Sequence, residues 1–254
     1  MRVVSICPSN TEIVDYLGKT DQLVGVDNFS DWPKSVRELP KLGPDLSIDM
    51  DKVAALEPDL VLASLSVPGM EKNIEALDER KLPYIILNPN SLEEIATDIK
   101  KVAVALDCET LGEEKAGEFI AEVESFREKA SNQSDKPTLY WEWWPKPIFT
   151  PGSVNWLTEI SELAGAENIF ATENVASVQT DWDDVKERNP DHICMVWVGV
   201  KEEKMNPKIV KKRPGWSEMK AIQNGTIHVL EESLFCRPSP RLLEGLRKLV
   251  QTIY

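Results

Sequence analysis

Aromatic residues are the groups in this sequence whose types and positions indicate chemistry. Trp141, Trp143 and Trp144 crowd the end of one apolar segment, beside a turn that contains two prolines. Trp144 falls in a loop that follows a predicted strand, and so do three further rings, Phe29, Trp32 and Phe149. Open α/β sheets bind ligands at the carboxyl ends of their strands, and large rings supply much of the contact energy. These residues predict a ligand-binding surface; the alternative is that the rings only pack loops onto the protein itself.

Residues that commonly carry catalysis or bind metals are sparse. The two histidines, His192 and His228, lie in or beside predicted strands, and the four cysteines are widely separated, at Cys7, Cys108, Cys194 and Cys236. Because no C-x-x-C pair is present, the sequence does not predict a zinc site. Nucleophile-elbow, Walker and dinucleotide-binding motifs are missing as well. The sequence therefore predicts a protein that is not an enzyme and holds no resident cofactor.

Net charge and hydropathy exclude several partners. The 254 residues carry a formal charge of −14 at pH 7, which opposes binding to nucleic acid or to an anionic membrane surface. No run of about 18 apolar residues predicts a membrane-spanning helix. The compartment stays open, because the first predicted strand already starts at Val3 and no export signal is predicted before it. The protein is extracytoplasmic or membrane-associated if an export signal was removed, and cytoplasmic if it starts natively at Met1, which the four cysteines favour.

A repeated pattern indicates how these residues are positioned. A helix-like segment ends in Glu57-Pro58-Asp59 before an apolar strand, and Asn189-Pro190-Asp191 precedes a second such strand. Proline disfavours helical conformation in the residue before it, and an all-apolar strand is typical of a sheet that is covered on both faces. In each copy a carboxylate lies seven residues before the proline, Asp51 in one and Asp183 in the other. The repeat predicts two similar α/β lobes.

The remaining elements fit two α/β lobes with mainly parallel central sheets. Strands are predicted over residues 3–6, 23–26, 60–63 and 84–87, and then over residues 138–143, 193–198 and 226–230. Between the two groups the sequence becomes helical and charged, with a break near residues 107–109 and no glycine-serine linker. The predicted domains are an N-terminal lobe over residues 1–90, a helical bridge over residues 91–131 and a C-terminal lobe over residues 132–254.

Capping residues predict where the other helices begin and end. The first helix is expected to start near Thr11, with Ser9, Asn10 or Thr11 as its cap. Gly165 suits the left-handed position that ends a helix. Further helices are predicted over residues 49–56, 70–80, 155–164, 181–188 and 241–253, with a basic helical stretch near residues 208–212.

Several motifs resemble those of the class III substrate-binding proteins of ABC importers. They cover nearly the whole chain, at Cys7–Ile13, Ser30–Pro33, Pro58–Val61, Ala164–Phe170 and Arg237–Arg241. Within that class the chain is most similar to vitamin B12 binding proteins. The resemblance implies two α/β lobes joined by a long rigid helix, with a shallow ligand cleft between the lobes. It also implies capture of a corrinoid for the membrane subunits of an importer, and we expect the binding protein to be a monomer.

The resemblance also implies which residues contact the ligand. Phe29 falls where B12 binders place a cleft tyrosine, Phe149 matches a cleft phenylalanine, and residues 233–237 match a corrin-contacting loop in which Arg237 can donate hydrogen bonds. The full set of expected ligand contacts is Phe29, Trp32, Trp144, Phe149, Trp197, Phe235 and Arg237. The chain departs from the better-known B12 binders at three positions where they carry aromatic residues, since it has Asp45 or one of its neighbours, Ser64 and Ser177.

The two repeated carboxylates gain a role from the same resemblance. Asp51 and Asp183 fall where the class presents acidic residues to arginines of the importer's membrane subunits. The alternative is that each aspartate only complements the positive end of its helix dipole. Glu71 and Glu218 are the other acidic candidates for this docking role.

Other ligands remain open. A ferric siderophore would suit the same scaffold, but such an anionic chelate calls for clustered arginines or tyrosines, and only Arg237, Arg213 and Lys146 are candidates. Haem would need axial ligands, for which Met70, Met195 and His192 are available in principle. A further alternative is a cytosolic corrinoid-binding protein that works without an importer.

Overall fold

The computed structural model describes residues 1–254, which form two compact units. The first unit holds Met1–Pro89 with Glu93–Ile120, and the second holds Asn90–Leu92 with Ala121–Tyr254. Each unit has its own central parallel sheet covered by helices, so the expected two α/β lobes are confirmed. No helix is both long enough and apolar enough to span a bilayer.

The first unit contains a four-stranded, fully parallel sheet. Its strands are β1 (Val3–Ser5), β2 (Leu23–Val26), β3 (Leu60–Ser64) and β4 (Tyr84–Leu87), in the order β2-β1-β3-β4. The strand β3 is buried along its whole length, as expected for an apolar strand with helices on both faces. Every strand predicted for this lobe is present within two residues of its predicted bounds.

Five helices accompany this sheet, namely α1 (Pro8–Tyr16), α2 (Met50–Ala55), α3 (Glu71–Arg80), α4 (Leu92–Ala105) and α5 (Glu109–Ser131). The prediction for the start of α1 was wrong. The cap residue is Cys7, and Pro8 occupies the first turn, where proline's missing N–H is not needed. Asn10 instead donates its side-chain N–H to the carbonyl of Ala63 (3.0 Å), and Thr11 donates its hydroxyl to Ser5 Oγ (2.8 Å). These polar side chains therefore join α1 to the sheet and do not cap it.

The helices α4 and α5 occupy most of residues 91–131, with the expected break between Ala105 and Glu109; that this segment is a bridge stays a prediction. A Cβ added at Gly112 would lie 2.2 Å from Cβ of Ala103, so the glycine lets the two helices approach closely. Lys100 Nζ and Glu113 Oε2 add an exposed ion pair at 2.6 Å. The unit boundary falls inside α5, between Ile120 and Ala121.

The second unit contains two sheets. The central parallel sheet has the order β11-β10-β5-β8, built from β5 (Thr138–Glu142), β8 (Glu167–Asn168), β10 (His192–Met195) and β11 (Ile227–Val229). A small antiparallel sheet of β6 (Trp144–Pro145), β7 (Ile148–Pro151) and β9 (Ser177–Thr180) has the order β6-β7-β9 and was not predicted. The strand expected over residues 193–198 already ends at Met195, so Trp197 lies beyond the strand.

Five helices complete this unit, namely α6 (Trp156–Leu163), α7 (Trp182–Arg188), α8 (Lys220–Asn224), α9 (Glu232–Phe235) and α10 (Leu242–Ile253). Asn155 caps α6 by accepting from the N–H of Leu157, and Asp181 caps α7 by accepting from two backbone N–H groups. Gly165 has the expected left-handed conformation after α6, with φ of 76°. The basic stretch near residue 210 forms only a short 3-10 turn, Val210–Lys212.

Candidate functional site

In the first unit, two predicted site residues lie on the loop that follows β2. Phe29 and Trp32 are 45% and 38% exposed, which is high for rings of this size. Trp32 donates its indole N–H to Asp15 Oδ2 (3.0 Å), and this fixes the direction of its ring. The loop therefore presents two aromatic surfaces at the carboxyl end of the sheet.

The buried carboxylate of Asp27 shapes this loop. It accepts the backbone N–H groups of Phe29 (2.7 Å) and Ser30 (3.0 Å), and the Ser30 hydroxyl also donates to it. Burial raises the pKa of Asp27 to about 6, although these hydrogen bonds favour the ionised form. Ser30 Oγ also lies 2.8 Å from Thr11 Oγ1, so the network connects the loop to α1. Asp27 was not among the predicted site residues.

In the second unit, the structure brings together three predicted site residues. Trp144 on β6 is paired directly with Phe149 on β7, so the two side chains lie side by side on one face. The ring of Trp197 lies 6.4 Å from the ring of Trp144 at an interplanar angle of 56°. Trp144 is 43% exposed, while Trp197 and Phe149 are partly buried. Trp144, Phe149 and Trp197 are called the aromatic cluster below.

A buried ionic network lies beneath the aromatic cluster. The indole N–H of Trp197 donates to Glu142 Oε1 (3.0 Å), and the Tyr140 hydroxyl donates to Glu142 Oε2 (3.0 Å). Arg213 binds both oxygens of the same carboxylate through two nitrogens, one of them at 2.8 Å. The side chains of Arg213 and Glu142 are 2% and 0% exposed. Burial raises the pKa of the Tyr140 hydroxyl well above its usual range, so this group remains a donor.

The sequence analysis missed Glu142 in this role and considered Arg213 only as a ligand contact. One signal was available, because Glu142 is a charged residue at the end of an otherwise apolar strand. A carboxylate in such a position needs a partner of opposite charge. The partner lies 71 residues away in the sequence, however, so only the fold identifies it as Arg213.

Phe235 does not offer a ligand surface, contrary to the prediction. Its ring is fully buried and lies 5.5 Å from the ring of Trp141, and Trp156 donates its indole N–H to the Phe235 carbonyl (2.9 Å). The short helix α9 turns the side chain into the core. Its position within a motif loop had favoured exposure, but the burial of a large apolar ring outweighs loop position.

Arg237 lies close to Phe235 in sequence and is also largely buried. Its side chain is 9% exposed, and the guanidinium donates to Glu232 Oε2 from two nitrogens, at 3.3 and 3.1 Å. Part of its capacity as a donor is therefore used within the protein. A ligand contact by Arg237 remains a prediction.

The two repeated aspartates are exposed at the first turns of short helices. Asp51 in α2 is 89% exposed at its side chain and lies 3.0 Å from Arg80. Asp183 in α7 is also exposed, one residue after the start of the helix. Of the other acidic candidates, Glu71 accepts from the backbone N–H of Gly69 (2.7 Å), and Glu218 ends a 3-10 turn.

Candidate haem ligands are not accessible within their units. Met70 and Met195 are 1% and 0% exposed. His192 Nδ1 lies 2.9 Å from His228 Nε2, so the two imidazoles are partners of one another. No group of three or more histidine, cysteine or acidic side chains is arranged to hold a metal ion.

A pocket of about 800 Å³ in the second unit lies apart from the aromatic cluster. Charged residues of both signs line it, among them Arg127, Lys136, Glu162 and Arg188. None of the predicted ligand contacts lines this pocket, so volume alone does not identify the candidate site. The aromatic cluster is the better candidate because exposed rings at the carboxyl end of a parallel sheet suit ligand binding.

Comparison with known proteins gives consistent results. The profile of the family described as "Periplasmic binding protein" matches residues 3–234. An ABC transporter substrate-binding lipoprotein of Bacillus subtilis, YvrC, is 30% identical over 263 residues, covering 100% of this chain and 80% of the relative. A vitamin B12-binding protein of Vibrio campbellii is 28% identical and covers 98% of this chain and 88% of its own length.

Solved structures share the same fold. The periplasmic vitamin B12 binding protein BtuF of Vibrio cholerae is 25% identical with a TM-score of 0.80, covering 99% of this chain and 96% of its own. The haem-binding protein RhuT of Roseiflexus sp. RS-1 reaches a TM-score of 0.87 at 22% identity, covering 100% of this chain and 97% of its own. The fold is therefore shared by proteins that bind different ligands.

Proposed function

The chain belongs to the periplasmic binding protein family, as a class III substrate-binding protein of an ABC importer, and from that premise we propose that its ligand is a corrinoid of the vitamin B12 type. The observation that carries the proposal is the aromatic cluster of Trp144, Phe149 and Trp197. Vitamin B12-binding relatives that align along 98% of the chain support the same choice. Such a protein is non-enzymatic, since its family binds solutes and passes them to a transporter.

The aromatic surfaces suit a large, flat and mostly apolar ligand. Burying an aromatic side chain against a ligand removes apolar area from water, at about 25 cal/mol per Å². Trp144, with 43% of its surface exposed, has area to bury against a macrocycle, and Phe29 and Trp32 offer comparable surfaces in the first unit. A corrin ring with methyl-rich edges matches these surfaces better than a small polar solute would.

An anionic iron chelate is a weaker candidate. Lys146 lies exposed in the turn between β6 and β7, while Arg213 is buried against Glu142. Haem is disfavoured by the burial of the candidate axial ligands Met70 and Met195. The haem-binding structures share the fold at 18–22% identity, which by itself does not indicate the ligand.

Ligand titration tests the proposal directly. Purified protein is titrated by calorimetry and visible absorption with cyanocobalamin, dicyanocobinamide, haemin and a ferric hydroxamate siderophore. We expect binding of cyanocobalamin or dicyanocobinamide. Binding of neither corrinoid at high micromolar concentration would reject the corrinoid assignment, and saturable binding of haemin or siderophore alone would replace it.

Matched variants locate the site. Trp144→Ala and Phe149→Ala are each expected to weaken corrinoid binding about tenfold, because loss of a ring contact removes roughly 1–2 kcal/mol. Phe29→Ala tests the first unit separately. Val104→Ala serves as the control, since Val104 is 56% exposed on α4 and belongs to no predicted contact. Equal effects from Val104→Ala and Trp144→Ala would contradict the assignment of the aromatic cluster.

We further propose that Asp51 and Asp183 register the protein on its importer. Both carboxylates are exposed and occupy the first turns of helices that repeat the same helix-proline-strand pattern. Exposed charges steer a docking partner and fix its register at little cost to the fold. The membrane subunits of an ABC importer are the expected partner.

A further inference from the structure

Four donor groups converge on the carboxylate of Glu142. It is fully buried and accepts from Tyr140, Trp197 and both terminal nitrogens of Arg213. The Arg213 guanidinium carbon in turn lies 4.5 Å from the Trp216 ring centre and 5.3 Å from that of Trp182. The result is a charge pair enclosed by aromatic rings and held in one geometry.

Stability alone does not account for a charge pair in this position. Removing two charges from water costs several kcal/mol for each ion, and apolar residues of similar volume often stabilise a protein as well or better. The buried Nε of Arg213 even lacks a hydrogen-bond partner. A buried ion pair can instead serve to impose one geometry on its neighbours.

One neighbour connects the ion pair to the proposed ligand surface. Trp197 donates the only polar hydrogen of its side chain to Glu142, and its backbone N–H approaches Met205 Sδ at 3.4 Å. The same Trp197 ring also contacts the exposed ring of Trp144. The carboxylate therefore fixes which edge of the Trp197 indole points into the protein and which surface faces Trp144.

We propose that Glu142 and Arg213 are positioning residues that orient Trp197 for ligand binding. The proposal rests on the proposed function, because it treats the aromatic cluster as the ligand contact. It also defines specificity: with its N–H used by Glu142, Trp197 offers the ligand only carbon and π surface. The aromatic cluster thus selects for a flat or methyl-rich ligand surface over one that needs a hydrogen-bond donor.

A double-mutant cycle separates positioning from stability. The variant Glu142→Met/Arg213→Met replaces the ion pair with apolar side chains of similar length. The variant Trp197→Phe replaces the indole with a smaller ring that has no N–H. We expect the double replacement to retain a cooperative thermal transition and to weaken cyanocobalamin binding at least tenfold. In the Trp197→Phe background the same replacement should change affinity less than twofold, because the residue it positions is gone. Fully additive effects would overturn the proposal.

A measurement without ligand keeps this test independent of the proposed function. Protein containing 5-fluorotryptophan gives fluorine resonances, and Trp197→Phe identifies the one from Trp197. The Glu142→Met/Arg213→Met variant should shift and broaden that resonance while leaving the Trp141 resonance in place, since Trp141 donates to Ser161 (2.9 Å). If wild-type protein binds none of the ligands tested, the proposed function fails while this readout still decides positioning. An unchanged Trp197 resonance would refute the positioning role.

A second variant covers the case in which the double replacement does not fold. Arg213→Lys keeps the positive charge but cannot make the bidentate contact with the Glu142 carboxylate. It should shift the Trp197 resonance and weaken cyanocobalamin binding about threefold to tenfold. As a control, Val104→Ala changes an exposed side chain of α4, so affinity and the Trp197 resonance should remain near wild type. Failure of Arg213→Lys to change either quantity would reject the proposal.

Discussion

Low pH should lower the stability of the second unit, because its two paired histidines become protonated. His192 Nδ1 and His228 Nε2 are 2.9 Å apart on neighbouring strands, and a shared hydrogen bond requires that at least one ring stays neutral. Burial, followed by repulsion from His192, lowers the pKa of His228 to about 4, and burial also lowers the pKa of His192 despite the nearby Asp191. In the unfolded chain each histidine takes up its proton near pH 6.5. The stability contributed by the neutral pair is therefore present above pH 6.5 and is lost as the pH falls towards 4.

The size of this effect follows from the shift of His228. A fall in pKa from 6.5 to about 4 corresponds to at most about 3 kcal/mol, of which about 2 kcal/mol would be lost between pH 7 and pH 5. Because the ring is partly exposed, solvent screening reduces the expected loss to about 1 kcal/mol. Asp27 acts in the opposite direction. Its pKa is raised to about 6, so its folded form takes up a proton in this range and gains stability.

The opposing effects require a difference measurement. Urea unfolding is recorded at pH 7 and pH 5 for wild type, His228→Gln and Asp27→Asn. Glutamine keeps a hydrogen-bonding group beside His192 but does not titrate. We expect His228→Gln to lose about 1 kcal/mol less than wild type on acidification, and Asp27→Asn to lose more than wild type. The reasoning would be refuted if His228→Gln had the same pH dependence as wild type, or a steeper one.

Two further predictions concern the surface carboxylates and the helix α5. Asp51→Ala and Asp183→Ala should leave corrinoid affinity in solution within twofold of wild type but should reduce corrinoid uptake by cells that carry the importer. Normal uptake by the double variant would refute the docking proposal. Gly117→Ala should raise the free energy of unfolding by about 0.5–1 kcal/mol, because nothing lies within 4 Å of the added Cβ in an exposed helix position. Gly112→Ala in the same helix should lower the free energy of unfolding by about 1–3 kcal/mol, because the added Cβ would clash with Ala103. Equal free energies of unfolding for the two variants, measured by urea unfolding, would contradict this packing.

The fold was largely predictable because its central strands are short apolar runs bounded by strong breakers. The runs after Pro58-Asp59 and Pro190-Asp191 became strands β3 and β10, since proline ends the preceding helix and an apolar run needs cover on both faces. The small antiparallel sheet was missed because its strands are not apolar runs: β6 and β7 each contain a proline, and β9 has the mostly polar sequence Ser177–Thr180. Such short strands have no periodicity to detect, and their pairing depends on the turn between β6 and β7.

The candidate site was predictable only in part. Loop position after a strand correctly placed Phe29, Trp32 and Trp144 at exposed positions. The resemblance of residues 233–237 to a ligand-contacting loop misplaced Phe235, since whether a ring in such a segment points outwards depends on the core that it can reach, here Trp141. The contact between Trp197 and Glu142 spans 55 residues of sequence, so only the folded chain brings them together. In a single sequence, the only sign of such a buried contact is a charged residue at a position where an apolar residue would be expected.

The position of the unit boundary within α5 affects how this protein can be divided or recombined. Most two-domain chains join their parts through a surface loop, where proteases cut and gene fusions succeed. Here one boundary lies between Ile120 and Ala121 in the middle of a continuous helix, and the short segment Asn90–Leu92 of the second unit interrupts the sequence of the first. A cut there would leave two fragments of about a dozen residues each, at or below the length at which an isolated helix is stable in water. We therefore expect that neither unit can be expressed alone, or exchanged with that of a relative, without breaking this helix. Ligand preference is then expected to change by substitutions within one chain and not by recombination of the two units.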